Sequence, residues 1–574
     1  MSRRNAPGLN AILLVVLAGL LTTAYYRAVV LQLDSSHLPL QSSWSTLTGW
    51  KSLPSQAAKL PPSPQRGRIP NHRFVKPPAL ATKEVEVPNL YPDDDIYGDR
   101  PDFVATAPHT PESPQALPSS SSQSSDSIRH SLSQPAPADP RPLTKLVRNA
   151  PGWTIMENLY ISNGTLFIIT SEPNDWPESH FIINVALPLE GGVEEEKKRE
   201  PTPHTISLIT PSEAEALWGD RIWGVEDWTF MINDAPQHLN HYYHFVAETF
   251  FGLWMMFASM DPNINVRGNT ILPAPARVMF PHHEDKEWRD YSKFNHWVLH
   301  GVFPALSTES AQDWEGRTSM TTSTAKAFRF TNVVLADRSA SMRGAICPGK
   351  TNRIASEAWE VVKDINSQWW WEPVRRSALR FAGVDRAVMD LPVMWDGVWT
   401  GGRDVAADTR ALSLASEAMP IVISYIVRSG TRRSLVAEDH RNLVQSLRQL
   451  CDVKGWELNI VHAEQLSREE QVQLAAKTTV MLGVHGNGLT HLVWMPVTPL
   501  STVIEIFVPG GFATDYEWTA RTLGMRHFAV WNDTWHTYPN APNVDYPEGF
   551  QGDQIPVHGS SIARLVEDRI EGRL

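Results

Sequence analysis

The last third of the chain alternates short apolar runs with amphipathic segments. The runs "IVISYIV", "WELNIVH", "TVMLGVHG", "STVIEIFVP" and "RHFAVW" are rich in β-branched and aromatic residues and predict strands. Helical segments such as "RSLVAEDHRNLVQSLRQLC", "SREEQVQLAAK" and "YEWTARTL" separate them. Strands that alternate with helices form right-handed crossovers and a parallel sheet. The pattern predicts an α/β unit over residues 416–545, followed by a C-terminal tail, 546–574.

A mixed pattern precedes this unit and predicts a second one over residues 149–415. "WTIMENLYISNGTLFIIT" has the character of a hairpin that turns at Asn-Gly, and "TNVVLADRSA" that of a buried strand and its turn. "TNRIASEAWEVVKDINSQWW" predicts a helix, and the tract at 190–203 a solvated loop. "HLNHYYHFVAETFFGLWMMFASM" predicts a helix that places His241, His244 and Glu248 in one row.

The N-terminus carries one apolar run, Leu9 to Tyr26, that approaches the length of a bilayer span. Arg3 and Arg4 precede it, which favours a cytoplasmic N-terminus and leaves the long C-terminal part in a lumen or outside. Residues 1–33 are therefore predicted to be a cytoplasmic tail and transmembrane anchor in a single-pass type II arrangement. A cleaved signal peptide is the alternative, since "TTA" offers small residues.

Residues 34–148 are predicted to be a disordered stem. Between Lys51 and Arg148 lie 18 of the 44 prolines and the run "SSSSQSSDS", with little periodic apolar pattern. Such a segment buries too little apolar surface to offset its ordering entropy. Two sequons, at Asn163 and Asn532, are predicted glycosylation sites and fit a lumenal chain.

Charge and cysteine content exclude two classes of protein. The net charge of −12 and the absence of a basic stripe argue against a nucleic-acid partner, because phosphate contacts need clustered Lys and Arg. Two cysteines, Cys347 and Cys451, cannot form a disulfide framework; they form one bridge or remain two buried thiols. With 42% hydrophobic residues, the chain can build a large core.

Two motifs at the carboxyl ends of predicted strands suit phosphate. Arg428, Arg432 and Arg433 follow "IVISYIV", and guanidinium groups hold phosphate oxygens bidentately. The glycine loop, defined here as His485-Gly486-Asn487-Gly488, runs from a strand into a helix that begins near Leu489. Glycines allow close approach of a ligand, and amides at a helix N-terminus favour an anion. For the three arginines the alternative is a solvated turn, and for the glycine loop it is a plain strand-to-helix turn.

Three further acidic residues need an interpretation. Glu505 interrupts the apolar run "VIEIFV", where it is either a satisfied core glutamate or an acceptor of hydrogen bonds from ribose or sugar hydroxyls. Asp515 and Glu517, in "DYE", are interpreted as the polar start of a helix rather than a metal-binding pair.

The chain resembles glycosyltransferase family 61 over roughly residues 153–533. The resemblance rests on "HYYHFVAETFFGLW", "VVLADRSASMRG", "YIVRSGTRR", "GVHGNGLTHLVWMP" and "VIEIFVPGGFATDYEWTARTLGMRHFAVWND", in that order. The family includes protein O-GlcNAc transferases of the secretory pathway and plant xylosyl- and arabinosyltransferases. Its usual loop is HGAGLT, so Asn487 replaces an alanine here. Its motif of a histidine followed four residues later by an acidic residue, usually Asp, is His244 and Glu248.

The resemblance implies two Rossmann-like halves facing a cleft, the GT-B type, with the donor nucleotide held by the C-terminal half. It implies inverting transfer of a sugar from a UDP-sugar, UDP-GlcNAc or UDP-xylose, to a hydroxyl of a protein or glycan, in the Golgi or endoplasmic reticulum membrane. His244 and Glu248 are the catalytic candidates, as base or orienting partner. The donor-binding candidates are Arg428, Arg432, His485, Gly486, Asn487, Gly488, Leu489 and Glu505.

No cofactor is expected, because arginines and a helix end can neutralise the diphosphate; His238 and His241 are then surface or packing residues. A divalent metal on the row of His241, His244 and Glu248 is the alternative. Two other functions compete with a transferase: a glycoside hydrolase, which needs a second carboxylate at glycosidase spacing, and a membrane-tethered glycan-binding protein without turnover.

Overall fold

The computed structural model describes residues 141–189, 193–347, 353–397, 405–428 and 432–574. The predicted anchor, Leu9 to Tyr26, and nearly all of the predicted stem lie outside these residues. Within them, no helix combines the length and the apolar character that a membrane span requires.

The N-terminal half is built on an eight-stranded mixed sheet. Strands β4-β3-β2-β8-β5-β6-β7 lie in that order, with β1 paired to β2. The strands β5, β6, β7 and β8 run parallel, and β2 joins them antiparallel through β8. Their bounds are β1 Lys145–Ala150, β2 Trp153–Ser162, β3 Thr165–Ile169, β4 Ile206–Ile209, β5 Ile222–Ile232, β6 Arg277–Met279, β7 Ser307–Glu309 and β8 Ala327–Ala336.

The C-terminal half is built on a six-stranded sheet in the order β10-β9-β11-β12-β13-β14. Its first five strands in the chain are parallel, and β14 is an antiparallel edge. The strands are β9 Val422–Ile426, β10 Glu457–Val461, β11 Val480–Val484, β12 Thr502–Phe507, β13 Arg526–Trp531 and β14 Thr534–His536. The alternation in the sequence thus predicted β9 to β13 correctly, and both halves are Rossmann-like.

Helices connect the strands of both halves. The α-helices are α1 Ser179–Ile182, α2 Val193–Lys198, α3 Pro211–Trp218, α4 Phe250–Ala258, α5 Phe294–Val302, α6 Ala311–Thr322, α7 Arg338–Ser341, α8 Ala355–Val362, α9 Glu372–Phe381, α10 Arg386–Met389, α11 Val405–Ala418, α12 Ala437–Lys454, α13 Arg468–Lys477, α14 Asp515–Thr522 and α15 Gly559–Ile570. A π-helix spans Tyr243–Thr249. The 3₁₀ helices are Pro173–Asp175, Leu391–Trp395, Ala463–Gln465 and Asn487–Trp494.

Local sequence signals explain several of these elements. The β2–β3 hairpin turns at Asn163 and Gly164, which both have positive φ, as an Asn-Gly hairpin turn requires. Helix α13 begins at a capping box in which Ser467 and Glu470 satisfy each other's backbone amides. The prediction of a loop at 190–203 was wrong in part, because Val193–Lys198 forms the short exposed helix α2, with Glu194–Lys197 and Glu195–Lys198 pairs three residues apart.

The predicted helix of "HLNHYYHFVAETF" differs in type. His238 to His241 precede the helix, and Tyr243–Thr249 form a π-helix that continues directly into α4. All residues of both segments are buried, so this is a core element rather than an amphipathic surface helix. A π-helical turn inside a longer helix often marks a functional position.

One hydrophobic core runs through both halves. It includes Trp153 of β2, the π-helix, α4 and the inner faces of β9, β11 and β12. Trp153 lies against Gly252, where an added Cβ would overlap its ring, and its indole donates to Ile354 O at 3.0 Å. Cys347 and Cys451 are both buried, and no disulfide joins them. The C-terminal helix α15 packs on α12.

Candidate active site

Each sheet has one point where the chain reverses the direction in which it adds strands. In the first sheet this point lies between β5 and β8, and in the second between β9 and β11. In open parallel sheets ligands bind at such points, outside the carboxyl ends of the strands. Arg428 and the glycine loop follow the ends of β9 and β11, and the π-helix with His244 and Glu248 lies in the connection after β5, whereas Glu505 lies inside β12.

The carboxyl ends of β5 and β8 carry four buried polar residues: Asn233, Asp234, Asp337 and Arg338. Asp337 accepts from the backbone amides of Asn184 and Ala340 and from Asn233 Nδ2, each at 2.7 Å. Arg338 Nε lies 3.2 Å from Asp234 Oδ2. This network fixes Arg338 so that its guanidinium faces the π-helix.

The π-helix presents His244 and Glu248 to that guanidinium. Glu248 Oε2 lies 2.7 Å from His244 Nδ1 and 2.7 Å from Arg338 Nη1. Arg338 Nη2 also donates to His244 O at 3.2 Å and to Thr249 Oγ1 at 3.0 Å. Because Nδ1 is bound to the carboxylate, a proton accepted by the His244 ring goes to Nε2.

Burial and charge act against each other in this group. Burial raises the pKa of Glu248, while the charge and hydrogen bond of Arg338 lower it. Burial also disfavours the charge of Arg338, but Glu248 and Asp234 outweigh it and raise the Arg338 pKa. A buried arginine between two carboxylates remains protonated, so we assign the Glu248–Arg338 contact as a charged pair.

The other histidines of "HLNHYYH", His238 and His241, lie beside His244. The rings of His238 and His241 lie 5.0 and 4.8 Å from it, centroid to centroid. Burial and the Arg338 charge lower the pKa of His238 to about 2. In the part of the chain that the structure describes, no group of three or more His, Cys, Asp or Glu side chains is arranged to hold a metal ion.

The glycine loop leaves the carboxyl end of β11 and is held from behind by a buried carboxyl group. Glu505 of β12 has no exposed surface; its Oε1 lies 2.5 Å from His485 Nδ1 and its Oε2 lies 2.8 Å from His527 Nε2. Burial raises the pKa of Glu505 and lowers that of His485, so both shifts favour uncharged forms. Glu505 is thus a satisfied core residue, and a contact with the donor stays a prediction.

Arg428 lies over the glycine loop from the neighbouring strand end. Gly486 has φ of 153°, and a Cβ added there would overlap the Arg428 guanidinium; a Cβ at Gly488 would lie 2.9 Å from Ile426 Cγ2. Arg428 Nε donates to Arg432 O at 3.0 Å, which links the two predicted phosphate ligands. Both glycines are therefore required by close packing against the end of β9.

The loop continues into the 3₁₀ helix Asn487–Trp494, whose second turn is buried. Leu489 is only 1% exposed, and its amide donates to Gly486 O at 3.0 Å. Leu489 therefore supports the loop through its backbone and the core through its side chain.

Residues of the two halves contact each other at the start of the π-helix. Asn487 Oδ1 accepts from Tyr243 N at 3.2 Å, and the Tyr243 ring lies 5.0 Å from that of Tyr516, which lies 5.7 Å from that of His485. Asp515 begins α14 beside them and is 9% exposed. Burial and the charge of Glu248 raise the pKa of Asp515 to about 7, against the charge of Arg433.

The structure therefore brings His244, Glu248, Arg428, Arg432, the glycine loop, Leu489 and Glu505 into one region. Sequence reasoning missed Asp234 and Arg338 as members and gave Asp515 no role beyond a helix start. A signal existed for Asp234 and Arg338, since charged residues directly after buried runs lie at strand carboxyl ends. The predicted glycosylation sites Asn163 and Asn532 lie in exposed turns with positive φ.

Paired switch points, a buried histidine–carboxylate pair and an arginine-covered glycine loop thus lie together in one region. In a comparison with protein families, residues 242–504 match the family model Glycosyltransferase 61. The match confirms the resemblance and implies binding of a sugar donor and an acceptor. It begins at the π-helix and ends within β12. A search of curated proteins gave no significant match.

Proposed function

We propose that this protein is an inverting, UDP-sugar-dependent glycosyltransferase that acts on a hydroxyl group of a protein or glycan. The observation that carries the proposal is the buried Arg338–Glu248–His244 chain beside the glycine loop of a family 61 domain. The two halves would form a GT-B type enzyme, with the donor on the C-terminal side. UDP-GlcNAc and UDP-xylose are the donors that the family resemblance suggests.

His244 is the proposed general base. Glu248 accepts from Nδ1 and fixes the ring orientation, while Arg338 holds Glu248 in place. His244 Nε2 would take the proton of the acceptor hydroxyl as its oxygen attacks the anomeric carbon, and the bond to the UDP oxygen would break on the opposite face. Glu248 is a poor candidate for the base itself, because both its oxygens already accept hydrogen bonds, from His244, Arg338 and, at 3.4 Å, Ile354 N.

The leaving diphosphate would be bound by Arg428, Arg432 and the amides that follow Gly486. Arg428 already lies over Gly486, and the 3₁₀ helix begins directly after it at Asn487, where the amides of a helix N-terminus favour an anion. Charge that develops on the diphosphate would meet fixed cations and amide dipoles, which stabilise it without a rearrangement. We propose that no divalent metal is required for this step.

We also propose that the protein works in the Golgi or endoplasmic reticulum, anchored by the apolar run Leu9 to Tyr26 with its folded part in the lumen. The support is in the sequence: the arginines before the run, the Pro/Ser-rich segment after it, and the sequons at Asn163 and Asn532.

The test is UDP release by the purified full-length chain from a panel of UDP-sugars, with candidate protein and glycan acceptors, in the presence and absence of EDTA. The proposal predicts turnover with one UDP-sugar that persists in EDTA. Turnover lost in EDTA would keep the transferase and refute the metal-free mechanism. Failure to bind UDP, together with no turnover of any donor, would refute the transferase in favour of a hydrolase or a glycan-binding protein.

A further inference from the structure

Asn487 links the glycine loop of one half to the backbone of the π-helix in the other half. Its Oδ1 accepts from Tyr243 N at 3.2 Å and lies 3.1 Å from Thr490 Oγ1. Since the Tyr243 amide can only donate, the side-chain oxygen of Asn487 must face the π-helix. The residue after Tyr243 is His244.

The contact completes the N-terminus of the π-helix. The first amides of a helix have no carbonyl partner within it and need an acceptor from elsewhere. Tyr242, at the N-cap position, supplies no side-chain hydrogen bond to the helix. Asn487 therefore acts as an N-cap from a segment 244 residues away in the chain. Asparagine is among the preferred capping residues for this reason.

Other hydrogen bonds between the 3₁₀ helix Asn487–Trp494 and the start of the π-helix join side chains and do not involve the backbone. Trp494 Nε1 donates to Tyr242 OH at 2.8 Å, and the same hydroxyl lies 3.4 Å from His491 Nδ1. These contacts dock the 3₁₀ helix against the π-helix. The Asn487 contact differs because it acts on the backbone next to His244 and comes from a loop residue between Gly486 and Gly488.

We propose that Asn487 is a positioning residue that couples donor binding in the glycine loop to alignment of the His244–Glu248 pair. The proposal rests on the function proposed above. A donor diphosphate seated on the amides after Gly486 orders the Asn487 backbone, and its side chain transmits that order to the Tyr243 amide. An alanine, the usual residue of this loop in the family that the sequence resembles, has no oxygen for this contact.

Two substitutions separate the effect of the Asn487 acceptor oxygen on kcat from the effect of this position on donor binding. Asn487→Ala removes the acceptor for the Tyr243 amide and is expected to lower kcat about tenfold, with the KM for the donor changed less than threefold. Asn487→Asp retains an acceptor oxygen but adds a negative charge beside the diphosphate, so kcat should stay within about threefold and KM rise about tenfold. Asn459→Ala is the matched control, since Asn459 on β10 bonds Glu457 beside it and touches neither element.

Hydrogen exchange of residues 242–249 gives a readout that does not depend on turnover. Saturating UDP should slow exchange of this segment in the wild type and in Asn459→Ala, and should not in Asn487→Ala, although that variant still binds UDP. Asn487→Asp at saturating UDP should recover the protection.

The outcomes distinguish this inference from the proposed function. Wild-type turnover and UDP protection that are both retained in Asn487→Ala would overturn the coupling and leave the transferase intact. A wild-type chain that neither binds UDP nor turns over a donor would refute the proposed function, and the coupling with it.

Discussion

Arg338 Nη1 lies 2.7 Å from Glu248 Oε2, which joins the carboxyl end of β8 to the π-helix through a buried ion pair. Arg338 makes a second ion pair with Asp234, at the end of β5. One side chain thus connects the switch point of the first sheet to the proposed catalytic pair. The Arg338 ion pairs stabilise the fold, because a buried charge without its partner would lower the free energy of unfolding.

Arg338→Met should destabilise the fold by about 3–5 kcal/mol, since it leaves two buried carboxylates without their partner. Arg289→Met is the matched control: Arg289 pairs with Asp285 at the surface, so its loss should cost less than about 1 kcal/mol. Denaturant unfolding of both variants measures the difference. Equal stabilities would show that the Arg338 ion pairs contribute nothing to the fold.

His244→Gln should lower kcat by about 10²- to 10⁴-fold, the usual contribution of a general base, and leave the affinity for UDP within threefold. Glutamine can still donate to Glu248, so the buried network is retained. His180→Gln, a change to a partly exposed histidine on α1, should leave kcat unchanged. Steady-state kinetics measures kcat, and calorimetry measures the affinity for UDP. An unchanged kcat in His244→Gln would show that His244 is not the general base.

Gly486→Ala should weaken UDP binding at least tenfold, because its Cβ displaces the Arg428 guanidinium and the backbone has a φ that alanine rarely adopts. The control is Gly316→Ala on α6, where a Cβ would meet no atom within 4 Å. Calorimetry with UDP compares the two variants. Unchanged affinity in Gly486→Ala would mean that the loop does not approach the nucleotide.

Sequence periodicity was sufficient for β9 to β13 of the C-terminal sheet, because each is an apolar run bounded by polar or glycine-rich turns, but it did not give the short edge strand β14. It placed Arg428 and the glycine loop at strand ends, where the structure has them. It could not give the π-helix, since His244 and Glu248 have the same spacing in either helix type and tertiary packing decides between them. Nor could it find Arg338 as the partner of Glu248, because 90 residues separate the two.

Burial also gives Asp515 a role that its position in "DYE" does not reveal. An aspartate in an unfolded chain titrates near pH 4, whereas burial first, and the Glu248 charge second, raise the folded-state pKa of Asp515 to about 7. Between these values the folded protein holds a proton that the unfolded chain has lost. Stability therefore falls as the pH rises through this window.

Asp515→Asn should abolish the fall in stability that a rise in pH causes in the wild type. From pH 5 to pH 8, its free energy of unfolding should rise relative to the wild type by on the order of 2 kcal/mol. Asp452→Asn, on the exposed side of α12, should show no such trend. Denaturant unfolding at both pH values is the measurement, and parallel behaviour of Asp515→Asn and the wild type would contradict the assignment.

Calorimetric titration of UDP into the wild type and Arg428→Ala measures whether the end of β9 and the glycine loop bind a nucleotide diphosphate. Removal of a guanidinium that holds a diphosphate should weaken binding about 10- to 100-fold. UDP affinity that is the same in both proteins, or no UDP binding by the wild type, would show that this region is not a diphosphate site.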